Sequence, residues 1–247
     1  MTDTIEGKNP VLEALKSGRP VNKVLLAKGL KPDAAVNEIL ELARQQRIPV
    51  EYAERRVLDR QSVNGESRGI MALAAARDYA SLDDLLALPE KTGEPALFCI
   101  LDGIEDPANL GAILRTAGAT GIHGVIIRSR RAVGLTSIVA RTSAGAIEYV
   151  PVARAANISQ TIDTLKKKNI WVTGIDMSGK TDFADIDFTM PSAIVIGGEG
   201  QGLSPLVMKN CDRVAHIPMK GNISSLNASV AAAIVMHGAF RQRLSGS

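Results

Sequence analysis

Two glycine-rich stretches hold the residue types and spacings most suited to chemistry. Gly174-Ile-Asp-Met-Ser-Gly179-Lys180-Thr181 spells the P-loop pattern, in which backbone amides and a lysine cradle a nucleotide's phosphates. A working P-loop opens a helix. Here Asp182-Phe-Ala-Asp-Ile-Asp-Phe-Thr-Met runs straight into Pro191, and its three acids repel a triphosphate. The expectation is a surface turn after a strand, with nucleotide hydrolysis as the alternative that ATP turnover tests. The second cluster, Gly197-Gly198-Glu199-Gly200-Gln201-Gly202, follows apolar Ala193–Ile196 but breaks the GxGxxG rule, because Leu203 and Pro205 stand where a final glycine belongs. It reads either as a tight turn with an exposed Glu199 or as backbone open to a flat ligand such as an adenosine derivative.

Other chemistries find little support. There is no GxSxG, and His123, His216 and His237 are far apart and show no metal-ligand spacing, so no metal is expected. Cys99 and Cys211, 112 positions apart in apolar surroundings, read as buried thiols of a reducing compartment.

Three segments gain meaning together. They are Asp106-Pro-Ala-Asn109-Leu-Gly111-Ala-Ile-Leu-Arg115-Thr-Ala-Gly118, Ile194-Val-Ile-Gly-Gly-Glu199-Gly-Gln-Gly202-Leu, and Ile217-Pro-Met-Lys-Gly-Asn-Ile-Ser224-Ser225-Leu226-Asn227-Ala-Ser229. In type, order and spacing they resemble the three motifs of the SpoU (TrmH) family of RNA 2′-O-ribose methyltransferases, in the SPOUT superfamily. The resemblance runs from about Ala96 to the C-terminus. Upstream, Gly7-Lys8-Asn9-Pro10-Val-Leu-Glu-Ala-Leu is similar to the L30e-like substrate-binding domain that many members carry.

The resemblance implies S-adenosylmethionine as cofactor, bound in a C-terminal trefoil knot of a homodimer. The substrate it suggests is a guanosine ribose of 23S rRNA. A tRNA, another rRNA site and an antibiotic-resistance methylation stay open, and a non-catalytic RNA-binding protein is the rival class. Carried over by motif, Asn109, Arg115, Glu199, Ser225 and Asn227 are the catalytic candidates. Gly197, Ile217 and Leu226, with Gly198 and Met219 beside them, are the cofactor contacts. Gly198 stands where alanine is common and Ala228 where valine is common, which bears on affinity.

A ribose hydroxyl is a poor nucleophile until its proton is lost or its developing charge is stabilised. The family's arginine has been cast as a general base, but a guanidinium with a pKa above about 12 stays protonated. Arg115 is therefore expected to clamp an RNA phosphate and lower the hydroxyl's pKa electrostatically. Asn109 reads either as a helix cap or as a hydrogen-bonding partner of Arg115 or substrate, and Ser225 as cap or ligand contact. Glu199 and Asn227 are expected to orient Arg115 or the ribose.

The chain has 247 residues, a formal charge of +3 and 3% aromatic residues, which disfavours RNA binding through stacked aromatics and favours backbone contacts. Arg128, Arg130 and Arg131, with Arg141 soon after, are RNA-binding candidates at the sheet's ligand edge. Arg55 and Arg56, near Arg60, form a second cluster, so an RNA held by both parts of the chain is expected. Lys166–Lys168 suits a helix C-terminus.

These residues need elements to hold them. Residues 1–76 predict a small α/β unit: helix 10–15, strand 23–27, helix 34–46, strand 50–52 and strand 69–75. Residues 77–95 have linker composition. Residues 96–247 alternate apolar strands with helices, including helices 137–146 and 158–168 and a final one from Ser224 to about Leu244, predicting a parallel sheet covered on both faces. His123, His216 and His237 are expected to be structural. The amino terminus lacks a basic segment followed by an apolar core, and no apolar run is long enough to span a bilayer, so a cytoplasmic protein is expected.

Overall fold

Strand-forming and helix-forming stretches of the chain assemble around two separate cores. The computed structural model describes residues 2–62, 65, 67–75, 77–222 and 225–245. Contacts divide the chain into one unit of residues 1–78 and 134–149 and another of 79–133 and 150–247.

The first unit contains β1 (Thr2–Glu6), α1 (Lys8–Lys16), β2 (Val21–Ala27), α2 (Ala34–Gln45), β3 (Val50–Ala53), α3 (Arg55–Gln61) and β4 (Ile70–Ala75). Its mixed sheet runs β1-β4-β2-β3, with only β2 and β3 parallel. Ile5, Val11, Leu15, Val24, Leu26, Ile39 and Ile70 fill the core. A downstream piece packs here as well. The helix expected over 137–146 stops at Thr142, because Ala144 and Gly145 adopt positive φ, and a 3-10 turn at Ala146–Glu148 follows. The buried carboxylate of Glu148 accepts from Arg19 at 2.9 Å and Arg77 at 2.8 Å, anchoring this piece by charge-assisted bonds.

Of residues 77–95, the first two belong to the first unit, and 79–95 are more than a connector in the second. Their helices α4 (Leu82–Leu86) and α5 (Leu88–Thr92) include Leu85, which is fully buried in the core. Then come β5 (Leu97–Asp102), α6 (Pro107–Ala119) and β6 (Gly124–Arg128), with the seventh helix, α7 (Ser137–Thr142), lying in the first unit. The order continues with β7 (Val152–Ala155), α8 (Ile158–Lys167), β8 (Trp171–Ile175), β9 (Thr181–Asp182), β10 (Ser192–Gly197), α9 (Pro205–Asn210), β11 (Arg213–His216) and α10 (Ala228–Ser245).

The sheet runs β7-β6-β5-β10-β8-β11-β9 and every pairing is parallel. Every residue of β5 and β10 is buried, as apolar strands covered on both faces require. Phe98, Ile100 and Val195 pack with Ile158, Ile162 and Val207 of α8 and α9 on one face, while α6 and α10 lie against each other. The order reverses between β5 and β10, so their carboxyl ends open the crevice where such sheets bind ligands. Among the described residues no helix is long and apolar enough to cross a membrane.

Candidate active site

Strand ends, helix starts and glycine loops meet along the carboxyl edge of the parallel sheet. Following β8, the P-loop-like residues make no helix, since β9 and a 3-10 turn at Phe183–Asp185 come next. The pattern's glycines are packing glycines. A Cβ on Gly174 would lie 2.7 Å from Leu203 Cδ1, and one on Gly179 would lie 2.5 Å from the Ala215 carbonyl carbon.

Following β10, Gly197–Gly202 folds back on itself, with the Gly202 amide donating to the Gly198 carbonyl at 3.2 Å. A Cβ on Gly197 would sit 2.2 Å from the Gly202 carbonyl carbon, and one on Gly198 would sit 2.6 Å from the Gly103 oxygen. Alanine at 198 would force this loop to shift; glycine lets β5's exit loop approach it.

The loop separates two cavities. One, of about 380 Å³, lies beyond β8, β10 and β11, and brings together Gly197, Gly198, Ile217, Met219 and Leu226 with Glu199 and Ser225. Apolar side chains beside open backbone suit a nucleoside-sized ligand. The other, of about 480 Å³, lies between β5 and β10 and shares Gly198 and Glu199 with the first. Glu199 thus borders both.

One hydrogen-bonded chain joins the three motif segments. Asp106 caps α6, its Oδ1 accepting from the Ala108 amide at 2.9 Å, with Pro107 at the first helical position. Asn109 is therefore not the cap, and its buried carboxamide is available for other partners. Its Nδ2 donates to Glu199 Oε1, and its Oδ1 accepts from Asn227 Nδ2 at 3.1 Å. Asn227 Oδ1 in turn accepts from the Ser229 amide at 2.9 Å and the Ser229 hydroxyl at 2.6 Å, capping α10. That leaves Ser225 on the cavity wall. The final helix begins at Ala228; Ser224 lies outside the described residues.

Arg115 stands apart. It is exposed on α6 and makes no hydrogen bond or ion pair among the described residues, so neither Asn109, Glu199 nor Asn227 orients it within one chain. Six helical residues from Asn109, it points about 120° away.

The basic candidates also separate. Arg128 pairs with the buried carboxylate of Asp102, and Arg130 and Arg131 are exposed nearby. Arg141 is on α7 and belongs to the first unit, not to this edge. Arg55 and Arg56 project from α3, a helix absent from the sequence expectation. Lys166 is held by Asp212 at 2.9 Å, a more specific partner than a helix dipole.

Asp176 and Met177 line the smaller cavity although no motif marks them. Burial alone would raise the pKa of Asp176, but bonds from Ser178 and from the Leu203 amide outweigh it and hold the carboxyl below its usual range. The sequence signal was present in the discarded P-loop-like stretch. His123 is structural, its Nδ1 accepting from the Leu97 amide at 3.2 Å. Burial pushes the thiols of Cys99 and Cys211 up to about 12, which keeps them unreactive.

Comparison with known proteins agrees with this geometry. Residues 96–237 match the SpoU rRNA methylase family, and residues 4–80 match a substrate-binding domain of RNA 2′-O ribose methyltransferases. A Bacillus subtilis protein assigned to the TrmH family of tRNA/rRNA methyltransferases is 47% identical over 241 residues, covering 98% of this chain and 96% of the relative. The crystal structure of the SpoU methyltransferase AviRb from Streptomyces viridochromogenes with AdoMet superposes with a TM-score of 0.82 at 29% identity, covering 99% of this chain and 92% of that one. A crystal structure of an RNA 2′-O ribose methyltransferase gives a TM-score of 0.80 at 27% identity, covering 98% and 89%. With both its segments matched and its relatives aligned nearly end to end, this chain belongs to the SpoU/TrmH family of S-adenosylmethionine-dependent RNA methyltransferases.

Proposed function

We propose that the chain methylates a ribose 2′-hydroxyl of structured RNA, with a guanosine of 23S rRNA as the expected substrate. The observation that carries this reading is the chain Glu199–Asn109–Asn227, which ties the cofactor loop, α6 and α10 together at the boundary of two adjoining cavities. When bound, S-adenosylmethionine supplies a methyl group on a sulfonium whose departure as a neutral sulfide needs little assistance. Gly197–Gly202, Ile217, Met219 and Leu226 hold it in the smaller cavity. The target nucleotide then occupies the larger one, where Glu199 is shared. Glu199 and Asn109 position the hydroxyl, and a protonated Arg115 lowers its pKa through the adjacent phosphate, so that the proton passes to solvent water as the oxygen takes the methyl group.

For Arg115 to do this, a second copy is needed. The exposed face of α6 carries Ala108, Arg115 and Ala119, and α10 packed beside it exposes Val230 (45%) and Ile234 (36%). Apolar side chains next to small residues support a homodimer in which Arg115 serves its partner's cavity. The family's trefoil knot belongs to the same reading: Gly197–Gly202 from one stretch of the chain and Ile217, Met219, Ser225 and Leu226 from another line one cavity.

The test is labelled methyl transfer to unmodified 23S rRNA, 16S rRNA and tRNA, with the product nucleotide mapped by mass spectrometry. A 2′-O-methylguanosine in 23S rRNA is the expected product. Methylation of a base would overturn the ribose assignment, and a product in tRNA would overturn the rRNA assignment alone. Arg115→Ala should lower turnover by about 10²–10³-fold. Near-normal turnover for Arg115→Ala would remove Arg115 from the mechanism, whereas Arg115→Lys, which keeps the charge without the guanidinium fork, should retain part of the activity.

A further inference from the structure

Beyond Arg128, off the carboxyl ends of β6 and β7, lies a separate cavity of about 250 Å³. Arg128, Arg130, Arg131, Asn157, Ser159 and Ser204 give it its polar lining, and no carboxylate is among the described residues around it. The neighbouring cavity at β5 and β10 differs sharply, since Asp102, Glu105, Asp106 and Glu199 there oppose Arg128 and Arg131. The lining of the first carries only positive charge and favours an anion, whereas that of the second is mixed and favours the uncharged groups of a nucleoside.

The arginines are not equivalent. Arg128 pairs with buried Asp102 and lies 3.4 Å from Ser204 Oγ, so it is fixed in place. Arg130 and Arg131 are exposed and make no hydrogen bond or ion pair among the described residues, leaving two guanidinium forks free at the mouth. At the back is the amino end of α8, where Asn157 accepts from the Ser159 amide at 2.9 Å and the positive end of the helix dipole faces the space.

Strands in a sheet are about 4.8 Å apart, so this cavity is roughly 10 Å along the sheet edge from the one at β5 and β10. We propose that it is a phosphodiester subsite, in which Arg130 and Arg131, backed by Arg128 and α8, grip a phosphate of the RNA strand about one or two nucleotides from the methylated residue. This rests on the reading that the larger cavity takes the target nucleotide. It divides the labour between Arg115, at the reacting ribose, and a pair that fixes the strand's register.

The experiment compares the full-length wild type with Arg130→Ala/Arg131→Ala in filter binding of unmodified 23S rRNA, 16S rRNA and tRNA across a salt series. The variant should bind the preferred RNA about tenfold more weakly near physiological salt, with the log–log salt slope reduced by about 0.7, the value for one single-stranded phosphate contact. S-adenosylmethionine affinity by calorimetry should be unchanged. Arg130→Lys/Arg131→Lys, which keeps the charge, should restore the slope. Unchanged affinity and slope in the alanine pair overturn the subsite, as does failure of the wild type to bind any of the three RNAs. A base-methylated product with the slope loss intact would remove the ribose assignment and leave the subsite standing.

Discussion

Asn109 uses both ends of one carboxamide, donating to Glu199 and accepting from Asn227, so it holds together two residues 28 positions apart in sequence. Asn109→Ala leaves both partners unpaired at a partly buried site. A loss of about 1–3 kcal/mol in denaturant unfolding is expected, together with reduced turnover. Unchanged stability would show that the contacts are replaced by water. His123 makes a separate prediction. Burial, opposed by Glu94, lowers its pKa below 6.5, so the folded protein holds it neutral while the unfolded chain takes up a proton as pH falls through that value. Stability from this site is complete above about pH 6.5 and declines below it, towards the folded-state pKa. The drop in melting temperature between pH 7.5 and 5.5 should be smaller in His123→Asn, whose Oδ1 can still accept from Leu97. An equal drop in the two proteins would exclude His123 as the source.

At the scale of elements, the glycine loop is where sequence dictates shape most directly. Gly197→Ala would drive a methyl group into backbone of Gly202, which cannot swing aside, and should weaken S-adenosylmethionine binding more than tenfold in calorimetry. Gly200→Ala is the control. Its φ of 75° makes alanine costly by about 1–2 kcal/mol, but nothing lies within 4 Å of the added carbon, so cofactor affinity should change less. Much of this level was legible in the sequence. β5 and β10 are uninterrupted apolar runs, and the second and third motifs named most of the residues around the smaller cavity. What escaped were elements with weak periodicity. β1 is a polar edge strand, TDTIE, defined by pairing with β4; α3 buries only Leu58; β9 is two residues long. Joining Asn109 to Glu199 and Asn227 was also beyond spacing alone, because it depends on α6 and α10 packing side by side. Asp176 was hidden by a pattern that suggested the wrong chemistry.

For the molecule as a whole, the decisive question is whether one chain contains a complete site. Asn109, Glu199 and Asn227 are already mutually satisfied and Arg115 faces solvent, so the proposed site needs an arginine from elsewhere. A second copy docked on α6 and α10 would bring Arg115 with it while covering Val230 and Ile234. Val230→Asp/Ile234→Asp places charge on that face and should halve the sedimenting mass and abolish methyl transfer, since an apolar interface does not bury unpaired carboxylates. Subunit mixing then separates an arginine acting across the interface from one acting within its own chain. In a heterodimer of Arg115→Ala with Glu199→Gln, one site combines the intact Arg115 of one chain with the intact Glu199 of the other, and the second site carries both defects. Random mixing makes about half of the dimers mixed, each with one working site of two, so about a quarter of wild-type activity should return from two nearly inactive parents. If Arg115 serves its own chain's cavity, each site in the mixed dimer keeps one defect and mixing restores nothing.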